Sequence, residues 1–374
     1  MLRIVKYSFF PNKHPDEYSL PFISRVILLI TFVRMILVTG ATGLLGSHIV
    51  VDLLLRGYEV RAMYREESRK EVVYRLLKFY HSGKAASLKA KLTWFQGDIL
   101  DLSDVEDALI GISKVVHCAA LVSFHRRDFN TLFRVNRRGT ANMVNFALNS
   151  GVDQFVYVSS TAAVGSDSNF SDGLKRESNE WNPNDEVSGY SLSKFSAEKE
   201  VWRANEEGLP VSIVNPSVMF GPGSWEESSL KIFRTLHKGL KFYTKGSNAF
   251  VDVRDVSALI IRLIETEKTG ERYLVTGSNI TFKELFDRIC EKLRVKAPSI
   301  LAGPFLTGLA WRLSGLSGRF TGKRPTITKE SARSSQSDSK FSNEKLLNDF
   351  PDFQFTKLED TIDITIKGRM DSEN

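Results

Sequence analysis

Tyr190 and Lys194 stand four residues apart in the segment Tyr190-Ser-Leu-Ser-Lys194. On a helix, that spacing puts both side chains on one face. An ammonium beside a phenol favours the phenolate, so the pair is expected to lower a phenol pKa that starts near about 10. It could then exchange a proton with a carbonyl or alcohol oxygen. The spacing alone is a weak signal, because a core tyrosine beside a surface lysine with its stem laid along the protein gives the same pattern. Context strengthens it. Upstream, the apolar run Phe155-Val-Tyr-Val158 leads into Ser159-Ser160-Thr161. Hydroxyls at the carboxyl end of a parallel strand lie where α/β sheets bind ligands. One of them could hold a substrate oxygen against Tyr190; capping of the strand end is the plainer reading for Ser159.

A second constellation begins at Met35-Ile-Leu-Val-Thr39 and continues as Gly40-Ala41-Thr42-Gly43-Leu44-Leu45-Gly46, followed by the amphipathic run Ile49 to Leu55. This frame reads as a buried strand, a glycine-rich turn and a helix. Gly40 permits the tight turn, Gly43 lets the backbone approach a pyrophosphate, and Gly46 lets the helix pack close to the strand. The helix N-terminus then faces the phosphates. Glycines alone would be weak evidence; placed in this frame they point to a dinucleotide. The next strand, Glu59-Val-Arg-Ala-Met-Tyr-Arg65, indicates which one. Where a carboxylate would receive the ribose 2′-hydroxyl of NAD there is Tyr64. Arg65 can pair with a 2′-phosphate, with Arg69 or Lys70 near enough to help. NADP(H) is therefore favoured over NAD(H), against the alternatives that Arg65 is merely exposed or that Glu66 replaces the missing acid.

The elements that must position these residues alternate. Strand-like runs fall at Ile36–Thr39, Tyr58–Tyr64, Leu92–Gln96, Lys114–Cys118, Gln154–Ser159 and Val211–Asn215, with helical patterns between them. This predicts an α/β fold, a Rossmann-type doubly wound parallel sheet. After Pro216 the rhythm changes to a smaller α+β C-terminal lobe. The expected division is an extension at 1–34, an NADP(H)-binding domain at 35–216, and a mainly substrate-binding lobe at 217–374 with elements returning to the first domain.

Composition sets outer limits. The chain has 374 residues, 42% hydrophobic and 25% charged, ordinary for a globular protein. The net charge of +7 is spread out rather than clustered in a stripe, so no nucleic-acid partner is expected. Two cysteines, Cys118 and Cys290, make no disulfide framework and suit a reduced cytoplasmic interior. No metal-binding spacing occurs, so no metal is expected. The first 34 residues carry three prolines and then an apolar run, Phe22 to Val33, broken by Arg25. That run is too short to span a bilayer. The expectation is that Met35 is the true start or that residues 1–34 form a loosely docked extension, with a membrane-surface anchor as the lesser alternative.

Taken in order, these motifs resemble the extended short-chain dehydrogenases/reductases, the NAD-dependent epimerase/dehydratase superfamily. The resemblance adds Gly97-Asp98-Ile99, His117-Cys-Ala-Ala120, Asn136-x-x-Gly-Thr140, and Asn215-Pro216-Ser217 leading to Gly221-Pro222-Gly223. It implies that Asp98 and Ile99 hold the adenine, and that Ala119 and Ala120 line the path to the nicotinamide. It also implies that Pro216 and Val218 pass beside the nicotinamide, and that Lys194 holds the nicotinamide ribose. Counting back from Gly165, the family pattern selects Ser160 as the catalytic hydroxyl beside Tyr190 and Lys194; aligning from the strand would allow Thr161. The second strand is similar to that of dihydroflavonol 4-reductases. Pro304 to Leu316 followed by Gly322–Lys329 resembles the 3β-hydroxysteroid dehydrogenase branch. The expectation is an enzyme interconverting a ketone and a secondary alcohol by hydride transfer on a lipophilic or polycyclic small molecule. The lobe's Phe220, Trp225, Phe233, Phe242, Tyr243, Phe305 and Trp311 suit such a substrate, unless they are simply its core. A sugar-nucleotide epimerase or dehydratase, and a non-catalytic NADP(H)-binding protein, are the alternatives.

Overall fold

The computed structural model describes residues 35–166, 171–182, 187–321 and 328–371. The expectations placed on residues 1–34 and on 322–327 lie outside the described residues.

Seven strands form the central sheet: β1 (Met35–Thr39), β2 (Glu59–Tyr64), β3 (Leu92–Gln96), β4 (Ile112–His117), β5 (Gln154–Val158), β6 (Val211–Pro216) and β7 (Glu271–Val275). All pair in parallel, in the order β3-β2-β1-β4-β5-β6-β7. The order reverses between β1 and β4, and the cleft of a doubly wound sheet opens at that switch point. The strands read as near-continuous apolar runs because helices cover both faces.

On one face lie α1 (Leu44–Leu55), α2 (Glu71–His81) and α6 (Val253–Thr266), packed on Ile36, Val38, Val116, Val156 and Val214. On the other lie α3 (Leu102–Leu109), α4 and α5 (Gly189–Glu206), packed on Leu37, Val115, Phe155, Tyr157 and Ile213. The α4 helix runs from Phe129–Leu132 through a π-helical turn at Phe133–Arg138 into Gly139–Asn149. The alternation of strand residues between the two cores is the period-two pleat. Capping fixes two of the helix starts. Asp101 accepts from the backbone N–H groups of Ser103 and Asp104 at the head of α3, and Ser188 accepts from Ser191 N at the head of α5.

After β6 the chain builds a three-stranded sheet from Val218–Phe220, Ser247–Asp252 and Ser278–Thr281. Helices Lys231–His237, Phe282–Leu293 and Leu358–Lys367 cover it. Its core gathers Phe220, Trp225, Phe233, Phe250, Leu285 and Ile362. Two elements of this region go back to the main body: α6 lies on the first face, and β7 extends the seven-stranded sheet as its edge. No helix among the described residues is long and apolar enough to cross a membrane.

Candidate active site

The glycine-rich turn joins β1 to α1. Gly40 has φ +65°, and a Cβ there would fall 2.7 Å from Ala119 N, the backbone leaving β4. A Cβ on Gly46 would fall 2.1 Å from the Gly40 carbonyl oxygen. Gly43 N donates to that same oxygen at 3.0 Å and closes the turn. Gly43 is also the N-cap of α1, and no side chain caps the helix there. The bare N-terminus and the backbone cradle, which any side chain would fill, fit a pyrophosphate held between Thr42, Leu44 and Leu45. A cavity of about 260 Å³ opens beside the turn, bordered by Thr42, Ser47, Arg69 and Glu227.

At the end of β2, Tyr64 is buried and stands edge-on to Trp94, with Lys70 Nζ 4.0 Å above its ring. The two expected helpers of Arg65 are engaged elsewhere. Arg69 pairs with Glu227 at 2.7 Å, and Lys70 pairs with Glu67 at 2.8 Å. Arg65 is exposed and, among the described residues, has no carboxylate partner. After β3, Asp98 Oδ1 accepts from Leu100 N at 3.0 Å, and Asp98 N donates to Asp104. Ile99 packs against Gly139 of α4, where a Cβ would meet its Cδ1 at 2.5 Å, and Asn142 binds its carbonyl. Asp98 and Ile99 thus sit at the end of β3, the strand next to β2.

Ser160 follows β5, and its hydroxyl accepts from Ala162 N at 3.1 Å. It lies beside Tyr190, in the first turn of α5. Thr161, the other candidate hydroxyl, is buried at the start of the following turn. The expected pairing of ammonium and phenol is corrected. Lys194 is 1% exposed, and its Nζ donates to Tyr157 Oη at 2.9 Å and to the Val158 carbonyl at 2.8 Å. Its stem runs inward from α5 to β5, so the ammonium meets acceptors of the strand rather than the phenol one helical turn away. Burial pushes the Tyr190 phenol above its ordinary value, with the neighbouring Ser160 hydroxyl opposing. Burial lowers Lys194 to about 8, opposed by the carboxylate of Glu198.

Behind this pair runs a buried polar chain that the sequence reading treated only as strand and turn motifs. Tyr157 stacks on His117 at 5.7 Å, beside Thr140 of α4. Thr140 Oγ1 donates to the Asn136 carbonyl and lies 3.1 Å from His117 Nε2. His117 Nδ1 lies 2.6 Å from Thr39 Oγ1, which accepts from Ala119 N at 3.2 Å. With the Thr140 hydrogen committed to Asn136, Nε2 must be the donating nitrogen of His117, and Nδ1 accepts from Thr39. The imidazole is neutral: burial, helped by the Lys194 charge, lowers it to about 3. Asn136 also clamps the loop after β4, receiving Leu121 N at 2.7 Å, donating to the Leu121 carbonyl at 3.0 Å and to Ser193 at 2.9 Å. Lys194, the β4 exit with Ala119 and Ala120, and the head of the glycine turn are therefore held by one network. The signal for it was present in polar residues at 39, 117, 136, 140 and 157, which only the packing brings together.

Asn215, at the end of β6, donates to the Ser160 carbonyl at 2.9 Å and to Glu198 at 2.6 Å. Glu198 is 2% exposed and pairs with Arg272 at 3.0 Å. Pro216 is buried and Val218 half-buried on the way into the lobe. Ser159 Oγ, Asn215 Oδ1, Ser217 Oγ and Thr276 Oγ1 are buried with no hydrogen-bond partner among the described residues. These four lie at or just past the ends of three adjacent strands, at the carboxyl edge of the sheet where α/β folds bind ligands; Gln154 Oε1, at the other end of β5, and Asn179 Nδ2 are likewise unpartnered.

The lobe's aromatic residues divide. Phe220, Trp225 and Phe233 are buried, with Phe233 edge-on to Phe220 and tilted against Trp225, so they are lobe core rather than site lining. Phe242 and Phe305 are exposed, and Tyr243 and Trp311 are half-buried. The apolar surface beside the tyrosine comes from elsewhere. Phe124 stands edge-on to Tyr190 at 5.8 Å and is 41% exposed. Val122 on the same loop and Val187 just before α5 are exposed with it.

Residues 36–276 match the NAD dependent epimerase/dehydratase family. The sterol demethylase protein B of Methylococcus capsulatus is 32% identical over 77% of this chain and 84% of that protein. A putative dihydroflavonol 4-reductase of a Synechocystis strain is 31% identical over 70% of this chain and 73% of that protein. Among solved structures, gox2253 superposes with a TM-score of 0.72 at 29% identity, covering 89% of this chain and 97% of that one.

Proposed function

The chain belongs to the NAD dependent epimerase/dehydratase family and is an NAD(P)-dependent enzyme of the extended short-chain dehydrogenase/reductase type, and on that premise we propose that it reduces a ketone on a lipophilic or polycyclic substrate to a secondary alcohol, or runs the reverse, with NADP(H) preferred. The observation that carries the reading is that Ser160, after β5, and Tyr190, at the head of α5, are brought side by side, with the partly exposed Phe124 edge-on to the same tyrosine. A nicotinamide supplies or receives the hydride when bound. Ser160 orients the substrate oxygen and Tyr190 serves as its proton donor or acceptor. A phenol held above its ordinary pKa keeps its proton at neutral pH, which suits donation to a carbonyl oxygen as negative charge builds on it. Lys194 keeps a positive charge one turn along α5, anchored on Tyr157 and Val158, and is proposed to hold the nicotinamide ribose.

Residues 35–216 are proposed to hold the dinucleotide and residues 217–374 mainly the substrate. Arg65 is proposed to meet the 2′-phosphate, and Pro216 and Val218 to pass beside the nicotinamide. A cytoplasmic setting suits the two free cysteines, Cys118 and Cys290. Against the sugar-nucleotide reading, Arg254, just after the lobe's Ser247–Asp252 strand, is held by both carboxylate oxygens of Asp252 at 2.9 and 2.6 Å rather than left free for a diphosphate.

The test is NADPH oxidation against a panel of β-keto acids, steroid ketones and flavonoid-like ketones, with UDP-sugar binding measured in parallel. Turnover of a lipophilic ketone without UDP-sugar binding is expected. Epimerisation of a UDP-sugar without ketone reduction overturns the reading.

A further inference from the structure

One face of the lobe is apolar, exposed and remote in sequence from the cleft motifs. The short strand Ile300–Leu301 pairs in parallel with Phe242–Tyr243, so Ile300 lies beside Phe242. Backbone hydrogen bonds from Ile300 N to Lys241 O and from Ala302 N to Tyr243 O hold the pair together. The helix Pro304–Thr321 starts directly after it. Phe305 and Leu309 are one turn apart on that helix, with Leu306 beside them, and all are exposed, Phe305 by 83%. Phe242, Ile300 and Leu301 are exposed as well. The helix faces the protein through its other side, where Gln336 Nε2 donates to the Ala302 carbonyl at 2.7 Å and reaches Thr307 Oγ1 at 3.4 Å.

The two segments that supply this face carry charge of one sign. Neither Asp nor Glu occurs from Ser228 to Val251 or from Lys292 to Lys329, the two segments that supply the face. Lys238, Lys241, Lys245, Arg294, Lys296 and Arg312 are exposed within them.

We propose that this face docks on the surface of an anionic lipid membrane, with Phe305, Leu306 and Leu309 entering the acyl boundary and the surrounding cations meeting the headgroups. Apolar side chains on a helix flanked by Lys and Arg bind anionic interfaces by these two contributions together. A second copy of the chain would bring the same basic segments against it. The chain's own residues 1–34, with five basic residues (Arg3, Lys6, Lys13, Arg25, Arg34) against Asp16 and Glu17, would also bring net positive charge. Anionic lipid is the occupant that complements both the apolar centre and the basic surround.

The experiment is co-sedimentation of the full chain with vesicles of phosphatidylcholine alone and of phosphatidylcholine mixed with phosphatidylglycerol. Binding to the mixed vesicles is expected, weaker binding to phosphatidylcholine alone, and a loss on adding salt. Phe305→Ser and Leu309→Ser should each reduce binding by about tenfold. Lys241→Glu with Arg312→Glu should remove the preference for anionic lipid. Each variant's melting temperature should stay at the wild-type value, because the replaced side chains are exposed. The proposal is overturned if the full chain does not sediment with mixed vesicles, or if the Phe305 and Leu309 variants bind as wild type. It is also overturned if removal of residues 1–34 alone abolishes binding, or if light scattering finds a dimer that Phe305→Ser converts to monomer.

Discussion

Lys194 Nζ donates to the hydroxyl of Tyr157 at 2.9 Å, with both side chains essentially excluded from solvent. The catalytic-type lysine of the helix is thus tied to the strand beneath it. Tyr157→Phe keeps the ring that stacks on His117 but removes the acceptor. One donor of a buried ammonium is left unmet, at a cost of about 1–3 kcal/mol in stability. Lys194 should then fall further below its present value of about 8. The alkaline limb of the pH–rate profile should move to lower pH. An unchanged limb in Tyr157→Phe would show that the hydroxyl does not control the lysine.

Tyr190→Phe should lower turnover by roughly 10²–10⁴-fold while leaving cofactor affinity close to wild type, because it removes only the proton donor. Single-turnover rates and a nucleotide titration measure the two separately. A wild-type rate in this variant removes Tyr190 from the chemistry.

Arg65→Ala should weaken NADPH binding by roughly ten- to a hundredfold, the value of a charged hydrogen bond, and leave NADH almost unaffected. Tyr64→Asp should go further by offering a ribose acceptor and repelling the phosphate, although Tyr64 is buried against Trp94 and some stability will be lost with it. Equal losses for both nucleotides in Arg65→Ala would place the preference elsewhere.

Gly46→Ala puts a methyl group 2.1 Å from the Gly40 carbonyl oxygen, a backbone atom that cannot swing aside. The turn and α1 must separate, at about 1–3 kcal/mol. Urea unfolding should register that loss, and dinucleotide affinity should fall with it. Gly83→Ala, where a Cβ meets nothing within 4 Å, is the control and should change neither.

His117 gives the fold an acid limit. Burial lowers it from 6.5 to about 3, so in the folded chain it stays neutral while the unfolded chain takes up a proton. Between those values the unfolded state binds more protons, and stability falls as pH falls through that window, by up to about 1.4 kcal/mol per pH unit. His117→Asn should flatten this part of the stability–pH curve. An unchanged slope would mean that other groups set the acid limit.

The sequence by itself determined the local frames. The apolar runs, the Thr39–Gly46 turn and the spacing of Tyr190 and Lys194 each depend on neighbours within a few residues, so period and residue type were sufficient to read them. The parallel sheet followed from strand–helix alternation, since parallel strands need crossovers. Only the tertiary structure decided where side chains of remote origin meet. Lys194 was expected beside Tyr190, its neighbour on the helix, but its long stem carries the ammonium to Tyr157, 37 residues away. The Thr39–His117–Thr140 chain and the Asn215–Glu198–Arg272 group join residues from different strands and helices, and no spacing encodes that. The same holds for Tyr273, whose strand reads as part of the lobe until its hydrogen bonds place it at the edge of the central sheet. It holds too for the lobe's aromatic residues: Phe233 and Phe305 look alike in sequence, yet one fills the core and the other faces solvent, because burial is a property of what packs against a side chain and not of the side chain itself.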